Sequence, residues 1–168
     1  NENIKKQSEN QKNLFFFELE KQCRKSDVFQ VLSDLDVEKP HSKCVPVCIA
    51  VSEKNIDKIS GWKPEDFETI YYGIYNLIGE IMEKRCLVNI REDRVECILF
   101  ECYGLKQIQN DIRKCSNTIY SGIGVSCIIN VGNMCDEIGK LPEMYKKTVM
   151  LCEQNLFYEK EGIYGLND

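Results

Sequence analysis

The stretch Cys86-Leu-Val-Asn-Ile-Arg-Glu-Asp-Arg-Val-Glu-Cys-Ile-Leu-Phe100 decides the fold. Two β-prone runs, Cys86–Ile90 and Val95–Tyr103, flank the short charged segment Arg91-Glu92-Asp93-Arg94, which is a hairpin pattern. No glycine supplies the positive φ of a primed two-residue turn, so a longer turn is expected. Upstream, Val45, Val47, Ile49 and Val51 alternate with Pro46, Cys48 and Ala50, which reads as a mostly buried strand. Pro46 suits the first part of a strand or an edge. After the polar loop Ser52–Gly61, Pro64 suits a first helical turn. A helix over about Pro64–Lys84 follows. Its stripe is Phe67, Ile70, Tyr71, Ile74, Leu77, Ile78 and Ile81, widened by Tyr72 and Tyr75.

Downstream of the hairpin, a helix is expected over about Leu105–Cys115, with Leu105, Ile108 and Ile112 inward. Gly122–Asn130 reads as the next strand, and Gly132-Asn133 as a turn. A last helix lies within Asp136–Tyr158 and begins near Pro142. Leu141, Tyr145, Val149, Cys152 and Leu156 share one of its faces. Gly162 stops it, and Ile163-Tyr164 adds a short edge strand. From residue 44 the order is β-α-β-β-α-β-α with a final β. The class is α+β, with a ferredoxin-like βαββαβ core whose antiparallel sheet buries one face under two helices. That architecture hosts unrelated functions.

The N-terminal residues 1–26 read as a connecting helix entering from a preceding domain, and 27–168 as the domain proper. Leu14, Phe15, Phe16 and Phe17, with Leu19 and Cys23, mark where that helix becomes buried. Most of these aromatics are expected in the core; a dimer contact is the other reading. Asp27–Leu35 can form a short helix presenting Val28, Val31, Leu32 and Leu35, capped by Ser26 or Asp27, before Pro40 breaks the pattern.

The chain has 168 residues, enough for one domain. Its composition, 43% hydrophobic and 29% charged, is that of a globular protein and too apolar for disorder. The apolar runs are far below the ~20 residues that span a bilayer, and no signal-peptide pattern is present. A net charge of −5 argues against a surface built to neutralise nucleic-acid phosphates. The first residue is Asn, not Met, so an excised piece of a longer protein is expected. The ten cysteines lie mostly inside apolar runs, as Cys48, Cys97 and Cys127 do, which suits free buried thiols in a reducing cytoplasm. No CxxC occurs. Cys44 and Cys48 in a strand would lie more than ~12 Å apart at about 3.3 Å per residue, too far for one zinc ion, so no metal site is expected. His41 has no paired nucleophile, and no GxxxxGK[ST] or GxGxxG is present; no catalytic residue and no cofactor are expected.

Ser121-Gly-Ile-Gly-Val-Ser126, the segment Leu141-Pro-Glu-Met-Tyr-Lys-Lys-Thr-Val149, and Phe157-Tyr158 followed by Gly162-Ile163 come in the order found in GGDEF domains of diguanylate cyclases. Over about residues 14–165 the chain more closely resembles the degenerate GGDEF-like middle domain of AraC-type response regulators. In a cyclase, the glycines of the Gly-Gly-[Asp/Glu]-Glu-Phe hairpin admit the nucleotide, and an acidic side chain holds the bridging metal. The matching hairpin here is Arg91-Glu92-Asp93-Arg94-Val95. Both glycines are gone, Arg94 replaces the Glu, and Val51-Ser52-Glu53 lacks an Asp-x-Asp pair.

The resemblance implies a non-enzymatic signal-relay domain of a cytoplasmic, two-component transcriptional regulator. DNA binding would belong to a neighbouring helix-turn-helix and phosphorylation to a neighbouring receiver. This piece would contact neither nucleic acid nor membrane, and a homodimer is one expected assembly. The alternatives are a small-molecule or nucleotide sensor using the degenerate cleft at Glu53, Asp93 and Arg94, or a residual diguanylate cyclase. If the Leu14–Phe17 run packs, Phe16→Asp will lower solubility or dimerisation; chromatography and solubility assays showing neither change would remove its packed role.

Overall fold

The computed structural model describes residues 12–17, 19, 43–56, 61–82, 85–91, 93–100 and 104–165. The expectations for residues 1–11, Cys23, the helix at Asp27–Leu35 with its cap, Pro40, His41 and Glu92 lie outside them. A helical segment at 12–17 comes first. It is followed by β1 (Cys44–Ala50), α1 (Phe67–Met82), β2 (Cys86–Ile90), β3 (Val95–Phe100) and α2 (Leu105–Ile123). The chain continues with β4 (Ile128–Val131), α3 (Leu141–Phe157) and β5 (Gly162–Tyr164). The class is α+β with a five-stranded mixed sheet ordered β2-β3-β1-β4-β5. The first four strands pair antiparallel; β5 joins β4 in parallel, with α3 as the crossover.

β1 is the centre of the sheet and every one of its residues is buried. Alternate side chains of a strand point to opposite faces, so full burial requires cover on both. Val45, Val47 and Ile49 join Ile70, Tyr71, Ile74 and Ile78 of α1 and Ile108, Ile112, Cys115 and Ile119 of α2. On the other face, Cys44 clusters with Phe15, Phe16, Leu19, Leu141 and Tyr145, while Cys48 and Ala50 meet Cys152. The expectation of one covered face is thus corrected. A parallel β5 can be reached only by carrying α3 across the sheet, and α1 and α2 already fill the opposite side.

The hairpin forms where expected, with Ile90 opposite Val95. The Arg91 N–H donates to the Arg94 carbonyl at 2.9 Å, so the chain reverses within 91–94. Only positions 92 and 93 lie between that closing pair, so the longer turn expected from the missing glycine is corrected; none of the described hairpin residues has positive φ. The helix expected over Leu105–Cys115 needs a larger correction. α2 runs to Ile123, because Cys115 and Ile119 continue the buried row of Ile108 and Ile112. Gly124, at φ 83°, ends it in the left-handed region, and its N–H donates to the Tyr120 carbonyl at 2.9 Å. Ser121–Gly124 therefore closes a helix rather than opening a strand. Leu105 and Tyr72, expected inward, are exposed. Gly132 is not a reversing turn: it continues past β4, its N–H donating to the Pro46 carbonyl at 2.8 Å. A Cβ there would collide with the Thr148 hydroxyl and the Pro46 ring.

Eight cysteines are described, all free thiols and seven of them buried. Burial pushes the Cys86 and Cys127 thiols from their ordinary value near 9 up to about 12. The native state therefore keeps protons that the unfolded chain releases. The stability these thiols contribute is fully present below about pH 9 and is lost as pH rises toward 12. Urea midpoints measured across that window are expected to fall, on the order of 1 kcal/mol per pH unit per thiol at most; a flat profile would contradict the shielding of Cys127 in the core and of the half-buried Cys86 from water.

Candidate functional site

Register places Asn89, Glu96, Cys48 and Asn130 in one row across β2, β3, β1 and β4. The row faces α3, and Glu96 has no exposure to solvent. A carboxylate so placed costs several kcal/mol unless cations and donors meet it. The hairpin delivers two cations. Arg94 stands two residues before Glu96 on the same face, and its Nε donates to Glu96 Oε1 at 2.8 Å. Arg91, opposite Arg94 across the reversal, brings its Nε to the same oxygen at 2.8 Å. The Arg94 guanidinium also reaches Asp93 at 3.5 Å and Glu153 of α3 at 3.6 Å.

Burial works against the charge of Arg94, but Glu96 outweighs it and holds the guanidinium protonated beyond its ordinary range. Tyr145 of α3 lies against the same carboxylate. Burial first, and then the Glu96 charge, pushes its phenol well up, so it stays neutral. The row is tied off at both ends. Asn89 Nδ2 donates to Asn13 Oδ1 at 3.2 Å, and Asn155 Nδ2 donates to Asn130 Oδ1 at 2.9 Å. The N-terminal segment and α3 are thereby both anchored to one polar line.

Two hollows adjoin the hairpin. The larger, about 790 Å³, lies between Asn13, Glu68, Tyr71, Arg91, Asp93 and Arg94. The smaller, about 330 Å³, lies at the end of β1 and is bordered by Ser52, Glu53, Phe67, Tyr71, Asp93 and Glu159. Tyr71 and Asp93 form the wall between them. The Tyr71 hydroxyl accepts from the Val51 N–H at 3.0 Å and donates to the Val51 carbonyl at 3.3 Å, fixing α1 to the end of β1.

The residues singled out from sequence separate into groups. Glu53 and Asp93 share the smaller hollow, and Asp93 and Arg94 share the larger; the three do not converge on one. Arg91 and Arg94 converge on Glu96. Val95 lies on the opposite face, in the core under α1 and α2. Phe15 and Phe16 are buried, with the Phe16 ring 5.8 Å from Tyr145, whereas Leu14 and Phe17 are exposed. Among the described residues, no group of three or more His, Cys, Asp or Glu gathers as metal ligands, and no helix is long and apolar enough to cross a membrane.

Sequence reasoning missed Glu96, Tyr145, Asn89 and Asn130 as one unit. The available signal was a single carboxylate inside the apolar run Val95–Phe100, two residues after an arginine. No family model, curated protein or solved structure matches this chain. Glu96→Ala would leave two guanidiniums facing a buried void of charge. It is expected to cost about 3–5 kcal/mol in urea unfolding; a loss below about 1 kcal/mol, the worth of an exposed ion pair, would show that the cluster is hydrated.

Proposed function

We propose that this chain is a non-catalytic signal-relay domain, a degenerate GGDEF-like unit of a cytoplasmic AraC-type response regulator. The antiparallel order β2-β3-β1-β4, with α1 and α2 on one face, supports a ferredoxin-like core. The observation that carries the reading is the fate of the hairpin. A cyclase hairpin keeps open glycine backbone for nucleotide and metal; here Arg91 and Arg94 turn inward and close on Glu96. Their charge is spent inside the fold rather than offered to a phosphate.

The relay element is the helical segment beside that cluster. Phe15, Phe16 and Leu19 dock it on the sheet, and Asn13 bonds Asn89. A preceding receiver domain would bias a docked and an undocked state of this segment, as any signal must through differential interaction with two states. Leu14 and Phe17, already exposed, would extend the surface available to a second copy. The acidic balance of the chain leaves DNA contact to a helix-turn-helix neighbour.

One observation favours a second reading, small-molecule sensing: the larger hollow, at about 790 Å³, has the size of a ligand pocket and mixed-sign walls. Hydrogen exchange tests the relay. Phe16→Ala is expected to release protection at 12–19 while β1 and β3 stay protected; loss of protection throughout would remove the two-state element. Formation of a cyclic dinucleotide from GTP and Mg²⁺ would overturn the non-catalytic assignment. A thermal shift caused by one small molecule and lost in Asp93→Ala would favour the sensor.

A further inference from the structure

Two thiol pairs lie on the α3 face of the sheet, and they differ in kind. Cys48 of β1 meets Cys152 of α3, strand against helix, with no backbone link between them. Cys44 and Cys135 instead face each other across an antiparallel bridge. The Cys44 N–H donates to the Cys135 carbonyl at 3.1 Å, and the Cys135 N–H to the Cys44 carbonyl at 2.8 Å. Residues that exchange both bonds in this way have Cα atoms about 5.5 Å apart. That falls inside the span of about 4.4–6.8 Å that a disulfide bridges.

We propose that Cys44 and Cys135 are a reversible dithiol–disulfide site oxidised by hydroperoxides. The inference does not depend on the relay reading. The backbone already holds the two residues opposite each other; the Cβ atoms of a hydrogen-bonded pair stand at up to about 5.5 Å and must draw in to about 4 Å, so closing the bond needs side-chain rotation and a small approach of the two segments. The connection that carries Cys135 has slack. Three steps on β1 from Cys44 to Val47 oppose four from Val131 to Cys135, so one extra residue sits between the paired ends.

The two pairs also differ in reactivity. Contact with Cys44 draws the Cys135 thiol below its ordinary value, against its burial. Contact with Cys152, together with burial, pushes Cys48 well up and keeps it protonated. Cys135, at 3% exposure where Cys44 has none, and with the lowered thiol, is therefore the nucleophile. Its thiolate attacks one peroxide oxygen, forming an S–O bond and breaking O–O; the alkoxide or hydroxide leaves and takes a proton. Cys44 then attacks the sulfenic sulfur. The S–S bond forms, S–O breaks, and the departing hydroxide leaves as water with the Cys44 proton. Two thiols lose two electrons, and hydrogen peroxide becomes two waters. Both thiols belong to the cluster that holds Phe15, Phe16 and Leu19, so the oxidant enters when that cover opens.

The test is peptide mapping of the reduced full chain after graded hydrogen peroxide and alkylation of remaining thiols. A linked Cys44–Cys135 peptide is expected before any other cross-link, reversed by dithiothreitol and retained in Cys152→Ser. Cys44→Ser is expected to stop at a Cys135 sulfenic acid that dimedone captures. Circular dichroism checks that each variant folds, and the unsubstituted chain alone suffices to decide the assignment. A Cys48–Cys152 link forming first, over-oxidation of Cys135 with no link, or no link at all would overturn the proposal.

Discussion

Glu96 is fully enclosed inside β3, where a carboxylate needs cations beside it, and two guanidiniums reach the same one of its oxygens. That requirement shapes what surrounds it. The hairpin must place Arg91 and Arg94 on the α3 face, which fixes the register of β2 against β3. A one-residue slip would send both arginines into the apolar layer under α1 and α2. α3 must present Tyr145 rather than a larger or charged group. The ion cluster gives little net stability compared with a well-packed apolar substitute. Its stronger effect is on uniqueness, because few other pairings of these strands would satisfy all three charges.

The same cluster links parts of the chain far apart in sequence. The polar row it sits in begins at Asn13, crosses four strands, and ends at Asn155 on α3. The two aromatic residues that dock the N-terminal segment pack beside this row. A disturbance at the segment therefore acts on a charged centre as well as on apolar contacts, and the energies at stake are correspondingly steep.

Much of the framework could be read from residue spacing. β1 announced itself by its unbroken apolar run, the hairpin by charge between β-prone segments, and α3 by Leu141, Tyr145, Val149 and Cys152 on one face. The extent of α2 was hidden because Ser116-Asn117-Thr118 looks like a helix end; Ile119, fully buried one turn beyond Cys115, overrides that local preference. That β1 is mostly buried was visible, but its full burial was not, because the second covering layer from α3 and the N-terminal segment depends on contacts between distant residues. The arginines of the hairpin stood out as departures from a family pattern. Their true partner did not, because a carboxylate among apolar neighbours reveals its role only when the opposite strands are aligned.

The outermost strand on one side, β5, is three residues long and runs parallel to its neighbour. A strand so short presents few open backbone donors and acceptors, too few to template the addition of another polypeptide. Sheet-to-sheet polymerisation through that margin is thus blunted by construction, which leaves the five-residue β2 at the opposite margin as the longer of the two sheet edges.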